Sequence, residues 1–453
     1  MMEWKKLLSP ERLGQKRSMT NDSVHYRSDF QVDYDRIIFS SSFRKLQNKT
    51  QVFPFPKSDF VRNRLTHSLE TASVGRTLGN MAGQLLFKKY PQLNDSCQPS
   101  DLGALTSAAC LAHDIGNPPF GHAGEDAISS YFKSKAAMPY IAGLNVVQKA
   151  DLQNFEGNAA GFRIMTHTAP YHSNLEGGLG LSFATYASFI KYPRPSYPFP
   201  DIHDRVSLKK YNFFWSEIPV YDKISAELGI TQYKTGELQV NHRFPLAFLV
   251  EAADDICYSI IDFEDGYHVH LISFEEIESA YFEILNREQF DLGRYNQLNS
   301  RETKIAYLRS KAINEMVQQT AKVFIEKEED IRAGIFDTAL IEKTPQIHTL
   351  KQIKKTSFEK IYNSETVLKI ESAGRKVLPG LLEIFVQSVM SDEDKFLAKL
   401  RKLIPQEYLD INHQPFEERY TNLLNIAMFV SGMTDQQAVR MYRDLFGISL
   451  ADY

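Results

Sequence analysis

The sequence is poor in cysteine. Its 453 residues hold three, Cys97, Cys110 and Cys257, widely spaced, odd in number and without a CxxC pair. That argues against a disulfide scaffold or a thiolate zinc framework, and predicts small buried apolar residues in a reducing compartment. Long apolar runs are missing too: nothing approaches the roughly 18 consecutive apolar residues of a membrane span. The opening residues, MMEWKKLLSPERLG, lack the apolar segment of a secretory signal. A cytoplasmic protein without membrane contact is the expectation. Nor is there an excess of positive charge. The 52 Lys and Arg against 56 Asp and Glu leave a net −4, so no broad basic field advertises nucleic-acid binding, and any attraction for phosphate must be local. No repeat, heptad array, low-complexity tail or Gly/Ser linker divides the chain.

What is there is mostly helical in pattern. From Leu65 to Lys88, Leu65, Leu69, Ala72, Val74 and Leu78 recur at near-helical spacing. Asp101 is the expected N-cap of a helix running to Ile115, which Gly116, Pro118 and Pro119 stop. Pro245 opens another in PLAFLVEAADDICYSIIDFEDG. Further helices are expected at 277–285, 305–325, 373–389 and 437–445. The four prolines of KYPRPSYPFPDIHD (191–204) predict an ordered surface loop, and TQVFPF (50–55) an extended piece. The fold expected is all-α with one extended core.

One stretch is an odd way to end a buried helix. In CLAHDIGNPPFGHAGE (110–125) the apolar run Leu105 to Ala112 leads into adjacent His113 and Asp114, and His122 and Glu125 follow the prolines. Side chains of adjacent helical residues point about 100° apart, so both reach one ion only where it sits close to the helix end. Other ligands must then come from elsewhere. His67 on an earlier helix and the pair Asp254 and Asp255 on a later one are available. Two imidazoles and two carboxylates suit a borderline or hard divalent ion, Mg²⁺, Mn²⁺ or similar, and leave positions open for water and substrate. Taken singly, a His-Asp pair is more simply a hydrogen-bonded helix terminus. The conjunction differs, because these groups interrupt apolar helices where an unpaired charge is costly.

His67, His113–Asp114 and a later helical Asp match the H…HD…D signature of the HD-domain metal-dependent phosphohydrolases. The longer words LQNKTQVFP, RLTHSLE, HDIGNPPFGHAGE, NFEGNAAGFRI, IKYPRP and EAADDICY together resemble the deoxyguanosine triphosphate triphosphohydrolase (dGTPase) family. The likeness runs from about residue 33 to 270, with weaker echoes at ESAGRKVLPGLLEI (371–384) and VSGMTD (430–435). It implies an HD-domain helical core at 55–270, an amino-terminal arm at 1–54 packing on it, and additional carboxy-terminal helices at 271–453 continuous with it.

The resemblance implies a metal site of His67, His113, Asp114 and one tandem aspartate, which word-for-word matching places at Asp254. It implies cleavage of a deoxynucleoside triphosphate at its α-phosphorus, releasing deoxynucleoside and inorganic triphosphate. His122 becomes the general acid for the departing 5′-oxygen, with Glu125 orienting it. Arg64, with Arg62, brings positive charge to the triphosphate. Lys191 and Tyr192 resemble phosphate and sugar contacts, Tyr258 a deoxyribose-stacking residue, and Gln51 a partner of the sugar 3′-hydroxyl. Glu156 and Asn158 resemble capping or ligand-orienting groups, and Glu371 a guanine contact. Only scattered family words survive beyond residue 271, so the substrate is dGTP or another dNTP. Partners implied are a homo-oligomer, often a hexamer in such proteins, with a nucleotide activator and single-stranded DNA left open. Two other readings remain: an HD-domain phosphohydrolase of another nucleotide, and a non-catalytic protein binding nucleotide or single-stranded nucleic acid.

Overall fold

The computed structural model describes residues 1–14, 27–53, 61–167, 177–197, 205–235, 238–286, 288, 290–391 and 394–448. The long helix carrying His67, Arg64–Lys89, starts where Asn63 and Thr66 cap each other: the Asn63 side chain accepts the Thr66 N–H (2.9 Å) and Thr66 Oγ1 accepts the Asn63 N–H (3.0 Å). Along it Gly75, Gly79 and Gly83 recur every fourth residue, leaving one side of the helix without side chains. The helix that ends at His113, Pro99–Ala112, lies on that stripe. A Cβ on Gly79 would stand 2.6 Å from the Leu102 carbonyl oxygen and 2.8 Å from Thr106 Oγ1. The two backbones are therefore as close as they can be.

The expected N-cap Asp101 is displaced by three residues. Gln98 takes the cap position, Pro99 follows it, and the Asp101 carboxylate reaches back to accept the Gln98 N–H (2.9 Å). Proline suits the first helical position because its missing N–H would find no intrahelical partner there.

The helix carrying Asp254, Ala247–His268, and the longest helix, Arg301–Arg332, pack on the other sides of the His67 helix. Met2, Trp4 and Leu7 belong to the same apolar core, and Trp4 Nε1 donates to Glu328 Oε1 at 2.6 Å. A second core joins His122–Lys133 and Val146–Gln153 to the carboxy-terminal helices Glu365–Met390 and Arg419–Ser431. Ile115 is in the first core and Phe120 in the second. The turn between His113 and His122 thus spans the seam between them. The chain is all-α but for one two-stranded antiparallel hairpin among the described residues, Gln232–Thr235 with Leu238–Asn241, pairing Tyr233 with Val240.

Three sequence expectations need correcting. The proline segment is no surface loop over its described part, because Arg194 and Ser196 are buried and Ser196 Oγ donates to Asp151 Oδ1; residues 198–204 lie outside the described residues. In TQVFPF only Thr50 is extended, bridging to Asn63, while residues 51–53 bend and 54–55 lie outside the described residues. Cys110 and Cys257 are buried, but Cys97 is only half-buried. No described helix is long and apolar enough to cross a membrane.

Gly79→Ala tests the helix contact. Alanine gains about 1 kcal/mol in helix propensity, yet the enforced clash should leave a net loss of roughly 1–3 kcal/mol in urea denaturation.

Candidate metal centre and active site

Three helices deliver the central groups. His67 sits on the first turn of its helix, His113 just past the end of Pro99–Ala112, and Asp254 in the third turn of Ala247–His268. One ligand atom from each lies within 4.8 Å of the others, and no other three His, Cys, Asp or Glu meet that condition among the described residues. Asp254 Oδ1 is 3.2 Å from His67 Nε2 and 3.4 Å from His113 Nε2. Its other oxygen, Oδ2, accepts from Lys191 Nζ at 2.8 Å. Burial works to raise the Asp254 carboxyl, but the Lys191 ammonium and then His113 hold it well below the usual range.

The histidines differ in what fixes them. His113 Nδ1 is 2.6 Å from the Cys110 carbonyl oxygen, which can only accept, so Nδ1 donates and Nε2 is the ring atom turned towards the cluster. Burial alone would depress His67, yet its hydrogen bond to Asp254 and the charges of Asp114 and Asp254 raise it to about 9. Without an ion, a proton occupies the place between His67 and Asp254.

Asp114 stands at the edge of this group. Its Oδ1 accepts from Arg64 Nη1 (2.7 Å) and Asn117 Nδ2 (2.5 Å) and lies 3.7 Å from His113 Nε2, whereas its buried Oδ2 has no partner among the described residues. Asp114 falls outside the group whose ligand atoms lie within 4.8 Å of one another, but an orphaned buried carboxylate oxygen on the residue next to His113 is what a divalent cation would satisfy. The donor set therefore fits such an ion. Asp255 points elsewhere: it pairs with Lys354 at 3.1 Å, and burial with the nearby Glu251 charge pushes it up to about 6 despite that lysine.

His122 opens the helix His122–Lys133 with its side chain 82% exposed. Its Nδ1 meets Glu125 Oε2 at 2.8 Å, leaving Nε2 as the outward atom. Glu125 is itself fixed by the Gly157 N–H on Oε1 (2.8 Å). Burial opposes its ionisation, but His122 and Lys210 hold it below the ordinary glutamate range. Lys210 also bonds Glu156 (3.1 Å), whose other contact is Asn158 Nδ2 (2.7 Å), so neither Glu156 nor Asn158 touches a ligand histidine. A Cβ on Gly121 would be 3.0 Å from Arg64 Nη2, which places the turn before His122 against the guanidinium that holds Asp114.

The remaining expectations divide. Gln51 Oε1 is buried with no partner among the described residues. Tyr258 is half-buried and stacked on Tyr362 (ring centroids 5.7 Å, 12° between planes), and Tyr362 donates its hydroxyl to Asp262 at 3.1 Å. Burial pushes the Tyr258 phenol up to about 12. Tyr192 is tied through its backbone N–H to Asn212 Oδ1 (2.8 Å). Arg62 is not available to a triphosphate. Its guanidinium is taken by Glu264 (3.0 Å), Asp265 (2.5 Å) and Glu70 (3.3 Å), all on helices of the first core.

An HD domain family matches residues 64–176, and a phosphohydrolase-associated domain family matches residues 343–444. A deoxyguanosinetriphosphate triphosphohydrolase-like protein of Synechocystis sp. is 42% identical over 457 residues, covering 99% of this chain and 100% of that protein. A protein of the same description from Pseudomonas aeruginosa is 37% identical over 99% of each chain. A deoxyguanosinetriphosphate triphosphohydrolase of Salmonella arizonae is 30% identical over 92% of this chain and 94% of its own. The chain belongs to the HD-domain, dGTPase-like family of phosphohydrolases. It is an HD-domain, metal-dependent phosphohydrolase in which His67, His113 and Asp254 are grouped closely enough to hold a metal ion.

Sequence reasoning missed several groups around this dGTPase-like site. Asn117, between Gly116 and Pro118 of the helix stop, was given no role, yet its side chain bonds Asp114. Lys210 and Tyr362 carried no local signal, being single residues in unremarkable words. Lys49 lies in a quoted word but was passed over. It is buried, donates to the Asn117 carbonyl (2.5 Å) and is drawn down to about 7 by burial, with Asp435 opposing.

Two measurements check the metal centre. Asp254→Ala should lose stoichiometric Mn²⁺ in elemental analysis while Asp255→Ala keeps it. Because metal must displace the His67 proton, affinity should climb about tenfold per pH unit from neutrality and flatten near pH 9. A pH-independent affinity over that window would show that His67 carries no proton for the metal to displace there.

Proposed function

We propose that this protein hydrolyses deoxynucleoside triphosphates, dGTP or a wider set, to deoxynucleoside and inorganic triphosphate. The observation that carries the reading is the pairing of His122 with Glu125 on a turn packed against the Arg64–Asp114 pair. A proton donor thus adjoins a metal-fitting cluster. The chain-long likeness to proteins described as deoxyguanosinetriphosphate triphosphohydrolase-like supports the substrate class.

In this reading His67, His113, Asp114 and Asp254 hold a divalent ion, Mg²⁺, Mn²⁺ or similar. When bound, such an ion supplies positive charge to the phosphate and makes water a better nucleophile near neutral pH. The residues do the rest. Lys191 and Arg64 are the cations beside the cluster that face a triphosphate, and each would exchange part of its present carboxylate contact for phosphate oxygen. Attack at the α-phosphorus breaks its bond to the 5′-oxygen. His122 Nε2 gives that oxygen a proton while Glu125, kept ionised, holds Nδ1 and the developing neutral ring in place. Gln51 Oε1, without a partner among the described residues, accepts from the sugar 3′-hydroxyl, Tyr192 contacts the sugar, and the Tyr258 ring, fixed by Tyr362, forms a wall against a 2′-hydroxyl. Glu371 precedes Gly374 by one turn, and Gly374 lies against Phe120, so the suggested base contact is on the His122 side of the second core. A homo-oligomer, a nucleotide activator and a cytoplasmic location with the dNTP pool belong to the same reading.

Each dNTP, singly and in mixtures with Mn²⁺ or Mg²⁺, should yield deoxynucleoside and tripolyphosphate in equal amounts. Monophosphate with pyrophosphate would refute the cleavage position, and a rate in mixtures above the sum of single rates would reveal activation. His122→Ala should keep its metal and lose about 10²–10⁴ in kcat; a variant as fast as the parent would remove His122 from the chemistry.

A further inference from the structure

The word VSGMTD (430–435) plays no part in the chemistry above, yet it reaches the site from more than 300 residues away. It closes the helix Arg419–Ser431 and opens the helix Asp435–Leu445, inside the segment matching the phosphohydrolase-associated domain. Asp435 is 2% exposed. Its Oδ2 accepts from the Thr50 N–H at 2.9 Å and from Thr50 Oγ1, and its Oδ1 accepts from the Phe120 N–H at 3.1 Å. Alongside, the Ser431 carbonyl accepts from Lys49 Nζ (3.0 Å), the same ammonium that donates to Asn117, whose side chain holds Asp114.

Two catalytic segments therefore end on one carboxylate. Thr50 immediately precedes Gln51, and its bridge to Asn63 ties it to the cap of the His67 helix. Phe120 is two residues before His122 and has φ +64, an unusual conformation for a bulky residue that lasts only where the surroundings enforce it. Its ring is enclosed beside Gly374, and its N–H is held by Asp435. We propose that Asp435 is a positioning residue: it touches no substrate, but sets the Gln51 segment and the His122 turn at a fixed separation, making activity depend on the carboxy-terminal helices. Its consequence for turnover rests on the dNTP hydrolase reading. The clamp itself does not.

Asp435→Asn in the full-length protein keeps the shape but turns one accepting oxygen into an amide that faces an N–H. Mn²⁺ affinity should stay within about twofold of the parent, and kcat on the best dNTP should drop about tenfold or more. In a His122→Ala background the same change should cost clearly less than in the parent, because the share of the effect carried by the His122 turn is already lost and only the share carried by the Gln51 segment remains. Peptides over 49–53 and 117–122 should exchange amide hydrogen at least about fivefold faster, with 247–258 unchanged. Thr50→Val, which removes one hydrogen bond, should move all readouts in the same direction by less and serves if Asp435→Asn fails to fold. Unchanged kcat in both variants, an equal loss in both backgrounds, or unaltered exchange in either segment would each overturn the proposal. If the parent turns over no dNTP, the function reading fails, and the exchange measurement alone decides: acceleration in both segments upholds the clamp, and none refutes it.

Discussion

The Asp254 carboxylate is the charge about which this structure is arranged. It sits where three apolar helices meet, and an ionised carboxylate there is tolerable only with close partners on both oxygens. Two imidazoles face one oxygen and an ammonium the other. Each partner needs its own anchor: the Cys110 carbonyl for His113, the capped first turn for His67, and the end of a short helix for Lys191. The glycine stripe of the His67 helix serves the same arrangement, since a Cβ at Gly75 would stand 2.5 Å from Cys110 Sγ, on the residue whose carbonyl holds His113.

The carboxy-terminal third contributes no described residue to that cluster, but it builds the second core, and that core seats His122. His122 is exposed and depends on the turn beneath it, which is pinned by Phe120 against Glu365–Met390 and by the opening of Asp435–Leu445. The metal-fitting groups belong to one packing unit and His122 to another. Turnover in the proposed reaction therefore reports on how the two cores meet.

The sequence was informative where chemistry is carried by words. The His67, His113 and Asp254 helices were legible from apolar periodicity interrupted by ionisable residues, and matching EAADDICY separated Asp254 from Asp255, which the structure turns towards Lys354. Asp101 was placed three residues wrong because proline and a reaching carboxylate can share a helix start. Arg62 was misjudged because its partners, Glu264 and Asp265, lie 200 residues away, and a charge looks free in sequence until its counter-charge is found. Lys49, Asn117, Tyr362 and Asp435 were missed for a related reason. Their roles are single hydrogen bonds or ring contacts across long separations, with no period or spacing to show them.

The account stands on one divalent ion shared by groups from three helices. The most direct test is a crystal of the full chain grown with Mn²⁺ and measured for anomalous scattering. A single strong peak is expected at about 2.0–2.3 Å from His67 Nε2, His113 Nε2 and an Asp254 oxygen, with Asp114 Oδ2 turned in to complete the set. A fully occupied ion elsewhere, or none while Asp254 keeps both imidazoles and Lys191, would contradict it.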